Sequence, residues 1–304
     1  MANYQKPFLK WAGGKTQILE EVLSKFPKEI NNYHEIFLGG GSVLLGLLSL
    51  QKENKITIKN NIYAYDLNKG LINCYNQIKN NIQDLISNLD LLNTEFTSIQ
   101  KNTEGQRGQP NNIDISTYKL TREHYYYWIR NEYNNNQKNN CLSAAHFIFL
   151  NKTGFKGMYR EGPCGFNVPY GKKDVKSIPK IYDINDLKNI NKLIQNVEFK
   201  CLDFKDSFDY VKKDDFIYLD PPYVPENKDS FVNYTVDGFD LDTHKKLFNT
   251  INGKKKDNKF VMSNSYTEMI MNEFDEYNCD IIEVKRRINS KKPDDKTNEV
   301  IIYN

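Results

Sequence analysis

Apolar positions in this chain gather into short runs separated by longer amphipathic stretches. "HEIF" ahead of Gly39, "NIYAYD", "VEFKCLDF", "DDFIYLD", "KFVMSNS" and "NEVIIYN" are rich in β-branched and aromatic residues and end in turn-forming positions, so each predicts a strand. "SVLLGLLSLQK" and "LDTHKKLFNTIN" space their apolar residues at helical intervals. "LNKGLINCYNQIKNNIQDLISNLDLL" keeps that spacing long enough for one or two amphipathic helices. Strands that alternate with helices predict an α/β fold around a mostly parallel, Rossmann-like sheet.

The middle of the chain reads differently. Residues 93–117, "NTEFTSIQKNTEGQRGQPNNIDIST", are polar and turn-rich and predict a long mobile loop. Residues 118–150 return to a helical pattern, and residues 151–180 are rich in glycine, proline and lysine. This predicts one domain formed by residues 1–66 and 190–304, with residues 67–189 containing an inserted, mainly helical lobe.

The formal charge of +3 is too small to imply a polyanionic partner, but its distribution is uneven. Residues 152–180 carry seven basic residues (Lys152, Lys156, Arg160, Lys172, Lys173, Lys176 and Lys180) against Glu161 and Asp174, and a second cluster, "VKRRINSKK", lies near the end of the chain. Local basic patches in a nearly balanced chain point to a phosphate-binding face. Five cysteines without a CxxC pair argue against a zinc site and for reduced thiols in a cytoplasmic setting. No apolar run reaches membrane-spanning length, so a soluble protein is expected.

Three stretches carry candidate chemistry. In "EIFLGGGSVL", Gly39, Gly40 and Gly41 follow a strand and open a helix, where bare backbone lets a nucleotide-like ligand approach. The spacing is not GxGxxG, and a helix-packing turn is the favoured reading until Asp66 is added. Asp66 ends the next strand, where a doubly wound sheet takes hydrogen bonds from ribose hydroxyls. "FLKWAGGKTQ" resembles a phosphate loop only superficially, because Leu9 stands where the motif needs glycine. In "FIYLDPPYVPEN", a strand delivers Asp220, and Pro221-Pro222 ends it because proline has no N–H to donate. Asp220, carbonyls released from the ladder and the Tyr223 ring together suit a planar exocyclic amine.

Together, "FLKWAGGK", "FLGGGS", "YAYDLNKGLINCYNQIK", "FLNKTGFKGMYR", "FNVPYG", "CLDF", "DPPY", "FVNYT", "VMSNS" and "NEVIIYN", in this order, resemble the Dam-type DNA adenine-N6 methyltransferases of the alpha group. DPPY alone is moderately specific, whereas the ordered set is highly specific and spans nearly the whole chain. The resemblance implies S-adenosylmethionine as methyl donor, no metal, and double-stranded DNA as substrate, probed at GATC by base flipping. It places Trp11, Ala12, Gly13, Lys15, Phe37, Gly39, Gly41, Ser42, Asp66, Asp203, Phe204 and Asp220 around the donor, and Asp220, Pro221, Pro222 and Tyr223 around the flipped adenine. The inserted lobe becomes a target-recognition domain, with Lys10, Phe155, Lys156, Met158, Arg160, Asn167, Pro169, Tyr170, Lys172 and Lys173 at the DNA. Lys156 stands where several relatives carry asparagine. A cognate restriction endonuclease is a possible indirect partner, and a monomer or weak dimer is expected.

The implied chemistry agrees with the residues. Adenine N6 lies within the base stack, so the base must be extruded at a cost of a few kcal/mol, and Phe155 could fill the gap. Arg160 has the planar fork that binds guanine O6 and N7 together. Lys172, Lys173 and Lys176 would hold phosphates. Two other readings share these features: a DNA-binding protein with lapsed catalysis, against which the intact DPPY, Asp66 and Trp11 loop argue, and methylation of cytosine N4 or of RNA.

Overall fold

The structure, a computed structural model, describes residues 3–103, 114, 116–171, 178–225, 239–285 and 296–304. In chain order, α1 (Leu19–Ser24), β1 (Glu29–Ile30), β2 (Tyr33–Ile36), α2 (Ser42–Lys52), β3 (Thr57–Ile58) and β4 (Ile62–Asp66) come first. Next are α3 (Lys69–Asn80), α4 (Ile82–Ser98), α5 (Arg122–Asn135), α6 (Cys141–Thr153), β5 (Glu161–Gly162), β6 (Gly165–Phe166) and α7 (Ile184–Leu193). Last come β7 (Val197–Cys201), α8 (Phe204–Ser207), β8 (Phe216–Leu219), α9 (Leu241–Lys254), β9 (Lys259–Ser265), α10 (Glu268–Glu273), β10 (Asn278–Lys285) and β11 (Lys296–Tyr303). The chain divides into two compact units. The first comprises Met1–Tyr4, Lys15–Leu67 and Asn196–Asn304; the second comprises Gln5–Gly14 and Asn68–Gln195.

A seven-stranded sheet of order β10-β11-β9-β8-β2-β4-β7 forms the first unit, parallel throughout except for β11. All four residues of β2 and of β8 are buried, because central parallel strands are covered on both faces. Ile36 pairs with both Tyr65 and Leu219, so β2, β4 and β8 end in register and present the loop after Ile36, Asp66 and Asp220 along one carboxyl edge. Below that edge, Ile36, Leu219, Met262, Val300 and Ile302 of the sheet pack with Phe204, Leu247, Phe248, Ile270 and Phe274. Each such fully buried side chain contributes about 1.5–3 kcal/mol over exposure, which makes the edge a rigid base.

Helix α6 organises the second unit. It is apolar nearly all round, with Ala144, Ala145, Phe147, Ile148, Phe149 and Leu150 buried, as a helix enclosed by α3, α4 and α5 must be. Close approach is met at Gly70, where an added Cβ would lie 2.2 Å from the Tyr133 hydroxyl.

The structure sharpens the sequence reading at three places. The stretch from residue 69 is two helices, broken at Asn81, whose backbone leaves the helical region and whose amide bonds the Gln77 side chain at 2.8 Å. The loop expected from residue 93 starts later, since α4 runs to Ser98 and buries Phe96 edge-on against Phe149 at 5.2 Å. Strand β10 had no predicted counterpart; its polar-apolar alternation, with Ile281 exposed, is that of a sheet edge. Residues 104–113 of the expected loop, Lys172, Lys173 and Lys176, "FVNYT" and most of "VKRRINSKK" lie outside the described residues.

Candidate active site

Asp220 sits directly after β8, and its carboxylate meets Lys15 Nζ at 2.7 Å. Lys15 is almost fully buried, and its backbone N–H donates to Ser42 Oγ at 3.1 Å, which fixes the lysine against the start of α2. Burial pushes the Asp220 carboxyl up to about 6, although the Lys15 ammonium pulls it down; the Glu299 carboxylate adds a smaller upward push. Lys15 also lies over the Tyr223 ring, 4.8 Å from its centroid. The Tyr223 hydroxyl donates to Glu299 Oε2 of β11 at 2.8 Å. Val224 N–H donates to Asn264 Oδ1 at 3.1 Å, and Ser265 Oγ donates to Val224 C=O at 2.5 Å. The proline-stiffened segment is therefore anchored to β9 and β11, and Tyr223 holds one orientation.

Along the same edge, Phe37, Gly39 and Gly41 all have positive φ, at 73°, 51° and 69°. For phenylalanine this is a rare conformation, held because the surrounding structure determines it. It accompanies a set of aromatic contacts, with Phe37 5.8 Å from Phe204 and 5.9 Å from Phe239. Gly39 N–H donates to Asp66 Oδ2 at 2.8 Å. Asp203 caps α8 by accepting from Lys205 N–H at 3.0 Å, and Ser42 spends its hydroxyl on Lys15. Aromatic rings, a side-chain-free turn and carboxylates at strand ends fit a ligand that joins a purine, a ribose and a cationic centre, as S-adenosylmethionine does. Among the described residues no group of His, Cys, Asp and Glu is arranged to hold a metal ion.

Trp11, Ala12 and Gly13, expected near the donor, belong to the second unit, where Trp11 stacks on Phe147 and on Tyr159 at 6.3 and 5.8 Å. There the "FLNKTGFKGMYR" segment turns sharply. Phe155 is 44% exposed at the tip, Lys156 and Gly157 have positive φ, and Phe155 N–H donates to Pro169 C=O at 2.9 Å. Arg160 Nε donates to Asn167 Oδ1 at 2.7 Å, which orients its guanidinium on the surface. Met158 is half-buried beside it, and Pro169 is exposed. Tyr170, expected at the DNA, is only 3% exposed; it packs on Tyr126 and donates its hydroxyl to Asn102 Oδ1 at 2.8 Å. Lys10 lies beside Gly157, with both of its backbone polar groups bonded to Asn151.

The profile of the D12 class N6 adenine-specific DNA methyltransferases matches residues 11–289. The chain belongs to this family. It is 38% identical to the Type II methyltransferase M.MjaIII of Methanocaldococcus jannaschii, over 98% of this chain and 99% of that protein. It is 28% identical to a DNA adenine methylase of Haemophilus influenzae over 95% of this chain and 89% of that one, and 29% identical to the Type II methyltransferase M1.LlaDCHI of Lactococcus lactis over 98% and 95%. A D12 class enzyme methylates adenine N6 in DNA, and membership implies S-adenosylmethionine as the donor.

Sequence reasoning missed several residues that shape this methyltransferase's site. Glu299 and Asn264 lie in runs read only as strands, "NEVIIYN" and "VMSNS", where a polar residue inside an apolar run was the available signal. Glu35 in "HEIF" is another. It is 2% exposed, accepts from the Tyr33 hydroxyl at 2.6 Å, and is raised by burial to about 8, so it is neutral at pH 7.

Proposed function

We propose that this enzyme methylates the adenine of GATC in double-stranded DNA after turning that adenine out of the helix. In this reading the first unit is the catalytic domain and the second reads the DNA. The observation that carries it is Asp220 at the carboxyl edge of the sheet, paired with Lys15 and followed by an anchored Pro-Pro-Tyr segment.

Phe37, Gly39, Gly41, Asp66, Asp203, Phe204 and Asp220 would hold the donor. Bound S-adenosylmethionine supplies an electrophilic methyl on a sulfonium. The Asp220 carboxylate and a backbone carbonyl of the proline segment would accept the two N6–H bonds while Tyr223 stacks on the base. Held this way, the N6 lone pair leaves conjugation with the ring and points at the methyl carbon. A bound donor would supply the methyl to that lone pair and keep the S–C electrons on its sulfur as a thioether, and the extra N6 proton would pass to solvent. Positioning carries most of the rate in such a step. Phe155, exposed on its turn, would fill the space the adenine leaves, and Arg160, already oriented by Asn167, would read guanine.

The test is transfer of labelled methyl to a GATC duplex and to one with the site scrambled, followed by nucleoside analysis. N6-methyladenine in the GATC duplex alone is the expected result. Label in both removes the GATC assignment, and N4-methylcytosine overturns the substrate. Asp220→Ala is expected to abolish transfer while the protein stays folded; full activity would end the proposal. The Type II names of two relatives favour a protective role beside a restriction endonuclease. Plasmid from cells expressing the chain should then resist an endonuclease that cuts the unmethylated site.

A further inference from the structure

Lys10 and the turn at residues 155–157 are far apart in sequence yet share one buried amide. Asn151, in the last turn of α6 and 4% exposed, accepts from Lys10 N–H through Oδ1 at 2.9 Å. Its Nδ2 donates to Lys10 C=O at 2.7 Å and to Gly157 C=O at 3.0 Å. The side chain thus pairs both backbone groups of Lys10, as a neighbouring strand would, and ties them to the turn that carries Phe155 and Met158. Gly157 completes the contact from the other side: with φ at +66°, its missing Cβ would lie 2.5 Å from Lys10 Cβ. The stem of the lysine is seated against the turn.

We infer that Asn151 is a positioning residue for base reading, fixing Lys10 to the Phe155–Gly157 turn so that lysine and turn meet DNA as one rigid surface. The inference rests on the reading that the second unit meets DNA and that Lys10, placed there by the family resemblance, contacts a base. A lysine is a point charge on a flexible stem and binds phosphate from many positions, but it discriminates a base only from a defined one. Loosening the backbone of Lys10 therefore spares general DNA affinity and erodes discrimination at one base pair. A purely architectural asparagine would instead weaken action on every sequence alike.

The experiment measures kcat/KM on the preferred site and on duplexes with each of its base pairs changed singly, for wild type, Lys10→Ala, Asn151→Ser, Gly157→Ala and Lys10→Ala/Asn151→Ser. Asn151→Ser and Gly157→Ala are expected to lower the cognate-to-changed ratio about tenfold, the scale of one good base contact, at the position that Lys10→Ala affects and nowhere else. The double variant should be no worse than Lys10→Ala, because Asn151 acts through Lys10. Uniform loss across all duplexes, or additive loss in the double variant, overturns the inference. Lys10→Ala without effect on any ratio overturns the base-reading role of Lys10 and this inference with it. Lys10→Ala effective with Asn151→Ser and Gly157→Ala silent overturns the clamp alone. Should Asn151→Ser melt below the assay temperature, Gly157→Ala, which disturbs the same contact from the side of the turn, decides the outcome.

Discussion

Replacing Lys15 by glutamine removes the cation paired with Asp220 at 2.7 Å while keeping the length of the side chain near that of lysine. At an effective dielectric of 20, two unit charges at that distance attract by about 6 kcal/mol, and aspartates beside a cation are held down by about 1–3 pKa units. Asp220 stands at about 6 with Lys15 present. Losing the lysine should carry it to about 8, taking a middle shift of about two units. Because the proposed step needs the carboxylate, activity rises with pH through this pKa. At pH 7 the ionised fraction would fall from about nine-tenths to about one-tenth, a tenfold loss that disappears by about pH 9. The assay is kcat/KM for duplex DNA from pH 5 to 9, which reports groups of the free enzyme. An acid limb near 6 in wild type and near 8 in Lys15→Gln is expected. A wild-type-to-variant ratio that stays constant across pH would refute the reasoning, leaving Lys15 to act by binding alone.

Glu35 is raised by burial to about 8 from 4.5, so its contribution to stability is complete below about pH 4.5 and lost as pH rises through 8. The stability of wild type relative to Glu35→Gln should therefore fall by about 3–4 kcal/mol between pH 5 and 8 in urea titrations, and parallel pH slopes would count against it. His244 is depressed by burial to about 4, with neither ring nitrogen hydrogen-bonded among the described residues. Its contribution is present above pH 6.5 and lost as pH falls toward 4, so His244→Leu should reduce acid sensitivity by about 1.4 kcal/mol per pH unit in that window, measured by the same titration. Phe155→Ala is expected to lower the fluorescence rise of 2-aminopurine placed at the target adenine, without abolishing donor binding; an unchanged rise would remove Phe155 from base extrusion.

The parallel sheet was legible because its central strands are short apolar runs with turn-formers behind them. Asp66 and Asp220 were legible because each closes such a run, and the structure does bring both to one edge. Other features depend on partners distant in sequence. Nothing local in "NEVIIYN" says that Glu299 receives the Tyr223 hydroxyl, since the two are 76 residues apart. The resemblance put Tyr170 at the DNA, and nothing local in "FNVPYG" says that it packs on Tyr126 of α5. Helix α4 outran its predicted end for the same reason, with one buried phenylalanine outweighing a polar composition.

Between Gly14 and Lys15 the chain passes from one unit to the other. The segment around that junction is thus shared property: Lys10 is bonded into the unit that carries the exposed turn, and Lys15, five residues on, into the unit that carries Asp220. On the proposed reading, in which the second unit meets the DNA, the piece to exchange between relatives is discontinuous. A graft of residues 68–195 alone would import Asn151 and Gly157 without the lysine backbone they were shaped to hold. Residues 5–14 have to travel with it, and a host that keeps its own opening segment would join a foreign reader to a native grip.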